Sequence, residues 1–252
     1  MASGLDLKTT PPAQGPRLPA PTGPPTRSPL VWLAAGFVPV VALVAWRSLV
    51  PPPLPDGAVC GELLAPTVLW RLGLAALVLG SVALMAAVLH ADRASLLLRW
   101  PARPVIVLSV VFALVVGPLA LWLGPLLAEP FFGPVGYEIA PQGEVLAALM
   151  AALVIALANG TLEEVTFRGA LMGWGSRALG PLGANVLQAV VFGVVHVGDD
   201  FTGNPLPVML AVGVGGLIAG VIAQRTRSLL LPIAVHAAFD LPLYYAFACR
   251  VA

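Results

Sequence analysis

Apolar residues run along this chain in blocks, and most of the blocks reach the length of about 20 residues that crosses a bilayer. They predict helices over roughly 30–49, 66–89, 104–127, 144–158 with its continuation, 184–197, 207–223 and 229–248. Proline and glycine clusters at 51–55, 101–104, 130–141, 180–183 and 203–207 break the blocks apart. Several blocks open near a proline, which the first helical turn tolerates. The expected fold class is all-α: a polytopic transmembrane helix bundle of about seven spans. Residues 1–29, rich in Pro, Thr and Gly, read as a disordered N-terminal tail. They do not read as a secretory signal, in which a basic region directly precedes a short apolar core. Residues 30–252 then form the transmembrane helical domain.

Composition agrees. Hydrophobic residues make up 59% and charged residues 10% of the chain. Ordinary globular proteins are roughly 25% charged, so this chain could not wet a soluble surface. The net charge of +1 and the scattered arginines exclude a basic patch for nucleic acid, and no nucleic-acid partner is expected. The lipid bilayer is the expected surrounding.

The charges in the connections alternate in sign. Lys8, Arg17 and Arg27 stand in the tail, then Asp56 and Glu62, then Arg93, Arg99 and Arg103, then Glu129, Glu138 and Glu144. Arg168 and Arg177, Asp199 and Asp200, and Arg225 and Arg227 continue the series, which Arg250 breaks. Lys and Arg favour the cytoplasmic face. The expectation is a multi-pass cell-membrane protein with its N-terminus cytoplasmic and its C-terminus external. Cys60 and Cys249 would then share the oxidising side, where a bridge could tie the first helix to the last.

Ionisable residues at membrane depth are costly and usually face a wet cavity or a bundle interior. Glu163 and Glu164 follow an apolar block directly. Glu164 and Arg168 are four apart, so on a helix they share a face and can pair, leaving Glu163 on another face for chemistry. Alone, this could be an ordinary solvated helix end. His196 lies at the end of the fifth block, and His236 and Asp240 share a face of the seventh. A lone histidine in such a helix is ordinarily a hydrogen-bonded core residue. Here two of the chain's three histidines lie in apolar helices, and His90 ends the second span beside Asp92 and Arg93. Glu163, His196 and His236 suit acid–base work on water, or could hold a metal such as zinc. Spacing alone does not choose between these.

The three sites together resemble the CPBP family, the CAAX-protease and bacteriocin-processing membrane proteins. That family's pattern is EExxxR, FxxxH and HxxxN or HxxxD, matched here by Glu163-Glu164 with Arg168, Phe192 with His196, and His236 with Asp240. The resemblance covers a core at about 144–247. It implies a CAAX-protease-like intramembrane endopeptidase acting on a membrane protein or lipidated peptide. Carried over by position, Glu163 activates the attacking water with help from His196, while His236 and Asp240 stabilise the oxyanion. The family has been described both as metal-dependent and as glutamate-type. The water is expected to be activated by Glu163 without a cofactor, the zinc alternative remaining open. Asp240 stands where the prenyl proteases usually carry Asn, and an ionised Asp cannot donate to an oxyanion. Asp240 then is either protonated or orients His236. A non-catalytic membrane scaffold or immunity-type protein of the same family is the alternative, and a transporter, which also places ionisable groups mid-membrane, is disfavoured by the lack of paired broken helices.

Overall fold

The computed structural model describes residues 27–51, 64–132, 145–197 and 205–247. Cys60 and Cys249, the tail before Arg27, and the acidic Asp56, Glu62, Glu138, Glu144, Asp199 and Asp200 lie outside them. The described chain is helical throughout, apart from its turns. Its elements are α1 (Pro29–Leu49), α2 (Leu64–Leu89), a short 3₁₀ turn (Arg93–Leu96), α3 (Arg103–Phe132), α4 (Val145–Glu163), a π-helical segment (Glu164–Trp174), α5 (Gly175–Val195), α6 (Pro205–Thr226) and α7 (Leu230–Phe247). Four stretches are long and apolar enough to cross a membrane: Pro29–Leu49, Ala65–Leu89, Leu146–Val195 and Pro205–Thr226. Arg103–Leu119 and Leu230–Pro242 are shorter apolar helices. The protein is a helical membrane bundle.

Burial is arranged for lipid. Leu30, Leu114 and Leu146 are about 70% exposed, whereas Glu163, Glu164 and Arg168 are each 1% exposed. A soluble protein would show the reverse. Apolar side chains can face acyl tails at no cost, and polar ones must find partners inside.

The local starts and stops follow the sequence. Pro29 occupies the first turn of α1, where its missing N–H costs nothing. After α2, His90 takes a left-handed conformation (φ 54°), and Asp92 accepts from the Ser95 amide at 2.9 Å to cap the 3₁₀ turn. Arg27 donates to the Val88 carbonyl (2.7 Å), which joins the start of α1 to the end of α2. Leu98 bridges to Ser228, and Gln224 donates to the Pro181 carbonyl at 2.9 Å. These contacts gather the connections bearing Arg93, Arg99, Arg177, Arg225 and Arg227 at one end of the bundle.

One expectation fails in an informative way. The fourth block, read as 144–158 with a continuation, runs on as helix past the glutamates, where the charge pattern predicts a connection bearing Arg168 and Arg177. It continues through the π segment as far as a break at Gly180, where φ is 70° and ψ is 169°. Only glycine takes that conformation readily, and Pro181 forces its predecessor to be extended. The chain folds back there as a tight antiparallel hairpin. Gly175 packs against Ala184, Phe167 against Phe192, and Glu163 faces His196. Hydropathy missed this because 159–183 carries charges and glycines, yet Glu164 and Arg168 are paired and the segment is the buried centre of the bundle. Arg168 is therefore an interior residue and not a connection charge.

Candidate active site

Four helical elements supply the site. Glu163 ends α4, Glu164 and Arg168 open the π segment, His196 caps the C-terminus of α5, and His236 and Asp240 lie on α7. Gly160 lets α4 and α7 approach closely: a Cβ there would lie 3.2 Å from the Ala237 nitrogen and 3.4 Å from the Ile233 carbonyl. The hairpin sets the depth. Gly180 is 17 positions after Glu163 and 16 before His196, so both arms reach the same level.

His236 sits between the two glutamates. Its Nδ1 is 2.8 Å from Glu164 Oε1, and its Nε2 is 3.5 Å from Glu163 Oε2. On a regular α-helix adjacent residues diverge by about 100°. The wider turn that begins at Glu164 and the insertion of an imidazole between the carboxylates let both serve one ring. Segments of this geometry often mark functional sites. Glu164 also accepts from Arg168 Nη1 at 2.9 Å. The Arg168 guanidinium lies 4.1 Å over the ring of Phe192.

His196 Nδ1 lies 2.7 Å from the Phe192 carbonyl. A carbonyl only accepts, so Nδ1 carries the proton and Nε2 is turned towards Glu163 Oε2, 3.4 Å away. Asp240 Oδ2 accepts from Asn159 Nδ2 at 2.9 Å and stands 3.6 Å from His236 Nε2. Glu163 Oε2 has no hydrogen-bond partner although it is buried between two imidazoles. A small polar molecule would be satisfied in that position.

A family model described as type II CAAX prenyl endopeptidase Rce1-like matches residues 145–242. Over that segment the chain is similar to the CPBP, or CAAX-protease, family. The matched segment carries every CPBP motif residue, from Glu163 to Asp240, and the whole hairpin. No curated protein and no solved structure matches the chain.

Two contributors to this site were not singled out from the sequence. Arg47 of α1, outside the matched segment, places Nη2 3.6 Å from Glu163 Oε1 and donates from Nη1 to the Val195 carbonyl at 3.3 Å. Its signal was available, since it is the charged residue standing alone in an apolar helix. Asn159 is the other, and its partner Asp240 lies too far along the chain for spacing to reveal the contact.

The charges nearly cancel. Glu163, Glu164 and Asp240 face Arg47 and Arg168, leaving one negative charge in excess if both histidines are neutral. One further proton among His196, His236 and Asp240 makes the site neutral, the state that apolar surroundings favour. Among the described residues, no group of three or more His, Cys, Asp or Glu side chains is set to hold a metal ion.

Proposed function

We propose that the protein is an intramembrane endopeptidase that hydrolyses a peptide bond in a membrane-associated protein or peptide. The observation that carries this reading is the convergence of the Glu163 carboxylate with both imidazole Nε2 atoms, at 3.4 and 3.5 Å. That triangle suits one water molecule and one polarised carbonyl. Glu163 takes a proton from the water as its oxygen bonds to the carbonyl carbon, and His196 Nε2 orients that water. The extra proton of the site is placed on His236, as imidazolium. Its Nδ1–H is given to Glu164, and its Nε2–H donates to the developing oxyanion. The tetrahedral intermediate then collapses, the C–N bond breaks, and Glu163 passes its proton to the leaving amine.

In this scheme Asp240, held by the Asn159 hydrogen bond, sets a negative charge 3.6 Å from Nε2 of the His236 imidazolium and takes no proton from it, which needs no amide at that position. Arg168 holds Glu164, and Glu164 holds His236. The water is activated by the carboxylate. Arg47 already sets a fixed positive charge against Glu163, which is the carboxylate a metal would need. The arginine-rich end of the bundle supports a cytoplasmic placement of that end in the cell membrane, with the N-terminus inside and the C-terminus outside.

Turnover of a labelled membrane peptide by purified protein, compared with Glu163→Ala, tests the reading. Turnover that disappears in the variant is the expected result. A cellular phenotype that survives Glu163→Ala, with no turnover by the wild type, would instead support a scaffold or immunity-type role.

A further inference from the structure

Arg71 takes no part in the chemistry proposed above. It stands alone as a charged residue in the apolar helix α2 and is half-buried. No carboxylate among the described residues forms an ion pair with it. Its guanidinium carbon lies 5.0 Å from the ring centroid of Trp70 and 5.0 Å from that of Tyr244. The cradle is fixed in turn: Trp70 Nε1 donates to the Val50 carbonyl at 3.0 Å, and the Trp46 ring lies 6.1 Å from it. Aromatic faces attract a cation but do not neutralise it. A guanidinium within a spanning segment ordinarily meets an anion.

The position of the cradle indicates which anion. His236, Asp240 and Tyr244 follow at intervals of four along α7 and so share one face. Tyr244 is two turns beyond His236, about 12 Å along the helix axis. An extended peptide covers that distance in three or four residues, at about 3.3 Å each. A chain lying along this face, with its scissile carbonyl at His236, brings a group a few residues away to Arg71. Arg47, the neighbour of Trp46 in α1, adds positive potential on the same side.

We propose that Arg71, cradled by Trp70 and Tyr244, binds a carboxylate of the substrate peptide a few residues from the bond that is cut. Its position relative to that bond rests on the peptidase reading. The carboxylate comes from an Asp or Glu side chain or from the end of the peptide. A planar guanidinium with several donors suits either source.

The test is binding, which does not need turnover. The full chain with Glu163→Gln, in lipid nanodiscs, is titrated with three N-terminally fluorescent apolar octapeptides. One has a free C-terminus, one is amidated, and one is amidated with Asp as its last residue. The expected result is that at least one carboxylate peptide binds about tenfold or more tightly than the neutral amide, the effect of a charge-assisted hydrogen bond. Tight binding by both means that any carboxylate serves; tight binding by the free acid alone means the chain end. Adding Arg71→Gln should remove the preference, whereas Arg71→Lys should keep its sign at reduced size. Equal binding of all three peptides, or a preference that persists in Arg71→Gln, overturns the proposal. Should Arg71→Gln fail to fold, the parent series and Arg71→Lys still decide. Preference without turnover by the wild-type chain would sink the peptidase reading and leave the subsite standing. Turnover without preference would do the opposite.

Discussion

Glu163 and His196 face each other at 3.4 Å across a hairpin that turns at Gly180. That turn holds the pair in register. Gly180→Ala puts a Cβ on backbone that only glycine adopts readily, at a cost of about 1–3 kcal/mol. The expected outcome is a lower unfolding midpoint in detergent together with weakened turnover. An unchanged midpoint would mean that the turn relaxes freely and does not set the register.

Glu164 and Arg168 are both 1% exposed and pair at 2.9 Å. Removing one partner strands a buried charge, at about 3–5 kcal/mol. Arg168→Met and Glu164→Gln should each destabilise the fold strongly, and the double variant should recover part of the loss. A double-mutant cycle on chemical unfolding measures this. Additive losses would deny the coupling.

Asp240→Asn tests whether Asp240 acts only as a positioned neighbour of His236 and not as an oxyanion donor. The new carboxamide still offers an oxygen to Asn159 Nδ2, so turnover should stay within about tenfold of the wild type, with one neutral hydrogen bond lost or weakened at most. Asn159→Asp is the contrasting variant. It sets two carboxylates against each other at the present 2.9 Å contact, and like charges there should disrupt the site. If Asp240→Asn is inactive and Asn159→Asp is active, the proposed role is wrong.

Arg47 is 34% exposed, and its main contact in the site is with Glu163. Arg47→Gln should lower kcat by about tenfold or more, as expected when a charge-assisted contact to the reacting group is lost. KM should change little, the loss of stability should be smaller than for Arg168→Met because Arg47 is itself part-exposed, and Arg47→Lys should rescue part of the rate. A loss confined to KM would place Arg47 in substrate binding.

Metal removal should leave turnover intact, because the proposed base is a carboxylate already paired with a guanidinium. Dialysis against a chelator, followed by metal analysis and assay, checks this. Stoichiometric zinc whose removal abolishes turnover reversibly would show that a metal-bound water does the work.

The linear pattern of the chain determined the class of fold and the identity of the polar residues inside it. Apolar blocks of spanning length, with few charges, leave little besides a helical membrane bundle, because a backbone in lipid must bond to itself. Ionisable groups are costly at that depth, so Glu163, His196, His236 and Asp240 were conspicuous against the apolar background. The expected pairing of Glu164 with Arg168 could also be read from their spacing, since four residues on a helix is a local relation. What the linear pattern left open was everything set by contacts between distant helices. Hydropathy averages over a window, so it ended the fourth apolar block near 158, opened the fifth at 184, and gave no relation between Glu163 and His196. A single left-handed glycine and an unbroken buried segment, neither of which carries a hydropathy signal, bring the two residues to one level. Arg47, Asn159 and the cradle around Arg71 became visible only once α1, α2, α4 and α7 were packed together. Their partners lie 116, 81 and 173 positions away along the chain, and no local periodicity links residues so far apart.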